Sequence, residues 1–332
     1  MKTKLSLLGI IASLGAVATV SAQTTAVTKP VGYHTETVLA NKFTLLGINV
    51  GNGVQAAGVF DADSATDNDV DYTTLLTADT PYTVQNTATG EHASVTAWDA
   101  TTLTLDPDIA ISTDDGYEIR EDATVNSIFG VDNAAGLGAG DSSTADILWI
   151  PNADGSWTRI FQATAQPPFR TAGWRGTATG GTVDVGGTVI PFNVGIFVQS
   201  RQATDLDVVF VGHVRTKAVT HSLNAGKFNF VNRVLPVGIA LADSGLETAP
   251  SWQAGDSATA DMIWLPDGAG GYDRIYYATA QPPFRTEGWR GTATGGTADQ
   301  GGKELTAGYA IQKRGAAGSV TVAIPSDLDL GD

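Results

Sequence analysis

The sequence predicts an all-β protein: two homologous β-sandwich or barrel-like modules in tandem, the first interrupted by a small β-barrel or meander. Three observations carry this. A 20-residue block occurs twice, as ATAQPPFRTAGWRGTATGGT at 163–182 and ATAQPPFRTEGWRGTATGGT at 278–297, with only Ala172 against Glu287 differing. Such internal repetition implies a repeated structural unit. Short alternating or β-branched runs recur along the chain, separated by turn residues among 39 glycines. No window shows a sustained helical period capped at both ends.

The first element is an address label. Lys2 and Lys4 precede an apolar run from Leu5 to Val20, and Val20-Ser21-Ala22 offers a small-x-small cleavage site. Residues 1–22 are therefore expected to be a secretory signal peptide, too short and wrongly flanked for a spanning anchor. The mature chain is expected to be exported by the general secretory route to the cell surface or medium, with the periplasm as the alternative. No later stretch reads as a membrane span.

The first module is expected over 23–50 and 123–210, the insertion over 51–122, and the second module over 211–332. Offsets set these limits. Ala139-Gly140-Asp141-Ser142 recurs at Ala254-Gly255-Asp256-Ser257, an offset of 115, and the run Asp146 to Pro151 recurs at Asp261 to Pro266 in the same register. Gln199 and Arg201 match Gln312 and Arg314 after a two-residue gap. Upstream, Ala40, Lys42 and Phe43 match Ala225, Lys227 and Phe228 at an offset of 185, so copy one holds about 70 extra residues. That stretch itself reads as four or five short strands, enough for a small barrel or meander.

Within the modules, Trp157, Arg159 and Phe161 alternate onto one strand face, repeated by Tyr272, Arg274 and Tyr276. Val194 to Val198, Leu206 to Val214 and Ser319 to Ile324 are further strand-like runs, and Asp154-Gly155 is a hairpin signal. The ordered set of Ala-Gly-Asp-Ser, Asp-Ile/Met-x-Trp, Gly-x-Trp/Tyr-x-Arg, Trp-Arg and Gln-x-Arg, with Val31-Gly32-Tyr33 near the start, resembles an uncharacterised family of exported bacterial proteins. The resemblance implies two tandem modules and an extracytoplasmic location, and it implies no chemistry.

Composition narrows function. With 19 Lys and Arg against 35 Asp and Glu the net charge is −16, which repels nucleic acid and anionic membranes. The chain has no cysteine, so thiol nucleophiles, Cys-containing zinc sites and iron–sulfur clusters are excluded. Its four histidines, His34, His92, His213 and His221, fall in no metal-ligand spacing, and there is no Gly-x-Ser-x-Gly, Walker or His-Glu-x-x-His motif. The chain is read as non-enzymatic, a structural or surface-associated protein of the cell envelope or extracellular matrix.

Two constellations are candidates for binding. In the twin block, Phe169, Arg170, Trp174 and Arg175, repeated as Phe284, Arg285, Trp289 and Arg290, bring rings and guanidinium groups onto a Pro-Pro loop. Rings cover sugar faces and Arg forks onto anions, so polysaccharide is one expected partner. The other reading is a structural loop with each Trp packed under an Arg. The block matches at 19 of 20 positions while 151–162 match 266–277 at only 4 of 12, which leaves both readings standing. The second candidate is the acidic run Asp61, Asp63, Asp67, Asp69 and Asp71, which could bind calcium as the one cofactor considered, or remain a solvated loop. It lacks the Gly and Glu of an EF-hand. Ligand identity and oligomeric state are not legible.

Overall fold

The computed structural model describes residues 31–324, so the expected signal peptide lies outside the described residues. The fold is all-β: every sheet is antiparallel, and the α-helices, α1 (Tyr72–Leu75) and α2 (Val125–Phe129), are single turns. No helix among the described residues is long and apolar enough to cross a membrane.

The chain opens with β1 (Val31–Val38), β2 (Phe43–Leu46) and β3 (Val50–Gly51). Five strands follow, β4 (Val54–Val59), β5 (Tyr82–Asn86), β6 (His92–Trp98), β7 (Leu103–Asp106) and β8 (Gly116–Glu121). They form a sheet of their own, ordered β4-β8-β5-β6-β7. It stays an open sheet: β4 and β7 are its edges, and the segment after β4 covers one face with Phe60, Ala65, Tyr72 and Leu76.

After α2 come β9 (Ile147–Pro151), β10 (Trp157–Ala163), β11 (Gly173–Gly176), β12 (Ile196–Gln199) and β13 (Leu206–Val214). Strands β11-β10-β9-β12-β2 make one sheet and β1-β13-β3 the opposing one. Between them lie Val38, Leu46, Leu148, Ile150, Ile160, Trp174, Val198, Val208 and Phe210, a sandwich core. The last seven strands are β14 (Thr220–Leu223), β15 (Phe228–Asn232), β16 (Met262–Pro266), β17 (Tyr272–Ala278), β18 (Gly288–Gly291), β19 (Gly308–Gln312) and β20 (Gly318–Thr321). Their sheets are β15-β19-β16-β17-β18 and the pair β14-β20, packed about Ile263, Leu265, Ile275, Trp289, Ile311 and Val320.

The five-stranded sheets of the two sandwiches correspond strand for strand, whereas β3 in the opposing sheet has no counterpart in the second. Phe43 pairs with Gln199 as Phe228 pairs with Gln312, at the offsets of 185 and 113. The runs ILWIP and MIWLP are apolar at nearly every position because one face packs in the core and the other is partly covered, Ile147 and Met262 being buried there and Trp149 and Trp264 half-buried. In copy one, Leu148 and Ile150 face the sandwich core while Ile147 packs with Phe161 and Ala163 on the other side.

The sandwiches meet along β2–β12 and β15–β19. A side chain at Gly47 would collide with the backbone of Ala307 and Gly308, and one at Gly308 with that of Leu46 and Gly47. Asn232 is fully buried and its Nδ2 donates to the carbonyls of Ile48 at 2.7 Å and Phe192 at 2.6 Å. Lys42 and Lys227, equivalent residues, each reach the hairpin of the other module. Lys42 Nζ donates to the Ala269 carbonyl, and Lys227 acts on the Asp154 carboxylate near Gly155. The exchange is reciprocal, as in a pseudo-two-fold pair.

Each module pins the Ala-Gly-Asp-Ser turn region with a buried aspartate, by different chemistry. Asp146 accepts from Gly138 N at 2.6 Å, Arg201 N at 2.7 Å and Gln202 Nε2 at 2.8 Å. Asp261 accepts from Gln253 N at 2.8 Å, Arg314 N at 2.7 Å and the wholly buried Lys313 Nζ at 2.5 Å. Ser200 stands where copy two has Lys313. Removing one partner of a buried ion pair costs about 3–5 kcal/mol, so Lys313→Ser should destabilise by that order. Adding Gly315→Gln, which supplies the copy-one amide, should recover part of the loss. Urea denaturation of the single and double variants checks this.

Candidate functional site

The twin block is built into the cores. Trp174 and Trp289 are 1% and 2% exposed. Trp174 donates from Nε1 to the Gly130 carbonyl at 2.8 Å and packs on Phe129. Trp289 packs edge-on against Trp252 and Tyr277, at 5.7 and 5.3 Å between centroids. Placed on short strands, β11 and β18, the rings point inward because the alternate face is the sandwich interior. Neither tryptophan can meet a sugar there, which corrects the expectation of a Trp-bearing binding loop.

The arginines are also occupied. Arg175 Nη2 donates to Thr171 O at 3.1 Å and Oγ1 at 2.8 Å, and Arg290 repeats this on Thr286 at 3.0 and 2.8 Å. Their other ends pair with Asp184 at 3.3 Å and Asp299 at 3.2 Å. This gives the repeated Asp-x-Gly-Gly turns an anchoring role. Arg170 Nε donates to Thr164 O at 3.1 Å and its Nη2 to Gly140 O at 3.3 Å, tying the loop to the Ala-Gly-Asp-Ser turn; Arg285 does the same on Thr279 and Gly255. Only Phe169 and Phe284, 85% and 84% exposed, project from the tips. The single difference has its own partner: Glu287 Oε1 accepts from Tyr277 OH at 3.1 Å, where copy one has Ala172 and Gln162.

The acidic run does not converge. Asp61 accepts from Asn68, Asp63 from Thr113, Asp67 from Asp69 N and Tyr117 OH, and Asp71 caps α1 through Thr73. Separate partners, some in the same turn and some 50 residues along the chain, thus occupy these carboxylates, and among the described residues no three His, Cys, Asp or Glu side chains gather as for a metal.

Two features emerge instead on the opposite faces of the same sheets. A chain of rings crosses both modules: Phe43–Trp149 at 5.7 Å, Trp149–Trp157 at 6.2 Å, Trp157–Phe230 at 5.2 Å, then Phe228–Trp264 at 5.2 Å. Phe228 and Phe230 stack at 6.5 Å and close the gap. Exposed Arg159 lies over Trp149 at 5.2 Å, and exposed Arg274 over Trp264 at 5.4 Å. The alternation of Trp157 with Arg159 signalled part of this face in the sequence; its continuation across the modules depends on their packing.

The second feature is a cleft of about 830 Å³ where the inserted sheet meets both sandwiches. Trp157, Phe228 and Phe230 line it from the modules, and His92 and Ser94 from β6. His221 on β14 lines it too, 2% exposed, with neither ring nitrogen in a hydrogen bond of good geometry. Burial, reinforced by Arg215, pulls His92 down to about 4; burial, with His92 nearby, pulls His221 down to about 3, the Asn193 backbone opposing. Nothing in the sequence linked residues 92 and 221, because the insertion has no counterpart in copy two. No protein-family model, curated protein or solved structure matches the chain.

Two tests follow from this geometry. Trp174→Ala and Trp289→Ala should each cost about 3–5 kcal/mol by opening a core cavity. The two losses should add because the cores are separate, whereas Phe169→Ala with Phe284→Ala should change stability by less than about 1 kcal/mol; urea denaturation reads both. The histidines stay neutral in the folded state while their unfolded counterparts titrate near 6.5, so below that pH the unfolded chain binds more protons. Stability should therefore fall as pH drops from about 6.5 toward 4, by up to about tenfold in the folding equilibrium per pH unit and histidine. Asp122, its carboxyl raised by burial, acts in the opposite sense above its unfolded value. Comparing unfolding at several pH values with His92→Asn/His221→Asn isolates the imidazole part, which the variant should lack.

Proposed function

We propose that this chain is an exported, non-enzymatic structural or surface-associated protein of the cell envelope or extracellular matrix. The observation that carries the proposal is the use made of the twin block. Its tryptophans close two cores and its arginines brace their own loops, so the most strongly repeated residues of the chain serve architecture. Net charge of −16 and the secretory-type leader support a role outside the cytoplasm and away from phosphate polymers.

A second reading is carbohydrate binding, moved from the twin block to the ring-bearing sheet faces. The paired Trp149–Arg159 and Trp264–Arg274 and the rings between them favour it, since flat rings cover the apolar faces of sugars.

Fractionating cells that make the tagged full-length chain tests the first reading. The expected product lacks the first 22 residues and lies in the medium or on the surface, where added protease reaches it in intact cells. An uncleaved cytoplasmic product overturns export, and a purely periplasmic one overturns surface association.

A further inference from the structure

We propose that the cleft between the inserted sheet and the two sandwiches binds a segment of a neutral, hydroxyl-rich oligosaccharide. The proposal rests on the carbohydrate-binding reading and gives it a site, a ligand class and a reason for the insertion. A volume of about 830 Å³ lies in the range of small-molecule sites, roughly 300–1,000 Å³. One wall carries Trp157, Phe228 and Phe230, whose rings form a continuous apolar surface with centroids 5.2 and 6.5 Å apart. Rings of this kind stack on the C–H faces of pyranoses.

The facing wall is polar and underused. His221 is buried beside the Asn193 backbone, and neither ring nitrogen makes a hydrogen bond of good geometry, so its polar capacity is left largely unused. Held neutral, its imidazole offers one donor and one acceptor, which suits a hydroxyl better than a charged group. The Asn193 amide and the Ser94 and Ser222 hydroxyls also line the cleft and make no side-chain hydrogen bond among the described residues. They offer both donors and acceptors around the ring wall.

Charge selects among sugars. Glu91, Asp106, Asp108 and Asp122 line the cleft against the single lysine Lys227. A uronic or sulfated chain would meet like charge, whereas neutral hydroxyls can donate to the carboxylates at no Coulombic cost. The arginine-bearing ends of the ring face, at Trp149 and Trp264, lie outside the cleft lining, so their charge does not reverse this balance.

Calorimetric titration of the full chain with hexasaccharides of β-1,4-glucose, β-1,4-N-acetylglucosamine and α-1,4-glucose, beside oligogalacturonate, tests the proposal. At least one neutral hexasaccharide should bind with Kd of about 1 mM or tighter, and oligogalacturonate should bind more weakly. Trp157→Ala should weaken the neutral ligand about tenfold. Because that variant touches packing, Ser94→Trp on β6 and Ser222→Trp on β14, both at exposed positions that line the cleft, serve as a second arm. Each should abolish binding without moving the melting temperature. Neutral-sugar binding that survives all three variants overturns the cleft and leaves the carbohydrate reading intact. Absence of binding by every hexasaccharide overturns both, and tighter binding of oligogalacturonate overturns the neutral class.

Discussion

The close approach of two backbones at Gly47 and Gly308 is the constraint on which the rest of this molecule depends. No Cβ fits at either position, because each would overlap main-chain atoms of the other module. Gly195, equivalent to Gly308, repeats the contact on Val231. The edges of the two sheets can therefore lie against each other without intervening side chains, and the remaining polar groups are met by Asn232 bridging to Ile48 and Phe192. From that contact follow the reciprocal lysine reach of Lys42 and Lys227 and the continuity of rings from Phe43 to Trp264. Beads on a linker would have neither.

The twin block shows why near-identity in a repeat does not by itself mark a ligand site. Its arginines satisfy carbonyls within their own loops, and its tryptophans fill cores whose walls come from other strands. Every such side chain has a fixed geometric partner, so substitution is penalised on both sides. The flanking strands carry some side chains on their half-buried outer faces, which allows Trp157 against Tyr272, whereas the buried Phe161 and Tyr276 differ only by a hydroxyl.

Much of the architecture was legible because it is written in offsets. Shifts of 185 and 115 predict an insertion between β2 and β9, and the sheet of β4 to β8 occupies that interval. Strand alternation also places Trp157 and Arg159 on one face. Burial direction was the illegible part: Trp-Arg on a glycine-flanked segment reads equally well as a loop or as a strand, and only the strand pairing of Gln162 with Trp174 turns the ring inward. Likewise the five aspartates are near one another in sequence, yet four of them bond separate partners, Asp61 and Asp71 within their own turns and Asp63 and Asp67 on Thr113 and Tyr117. The cleft could not be read at all, since its residues span three units with no shared register.

The divergence between copies sharpens where function would sit. At the equivalent positions, Trp157 faces Tyr272, Phe197 faces Ala310, Phe230 faces Leu45, His221 faces Glu36 and Asn193 faces Thr306. A pseudo-two-fold molecule has two such positions, but the inserted sheet borders only one, and that one holds the larger rings and the buried His221 imidazole. Duplication alone supplies a symmetric scaffold with two shallow faces. The insertion breaks the symmetry and adds a polar wall to one face, with His92 and Ser94 of β6, which have no counterpart in the other copy. The equipped position is thus shared: the insertion adds a wall to a cleft whose rings come from both copies, Trp157 from the first and Phe228 and Phe230 from the second.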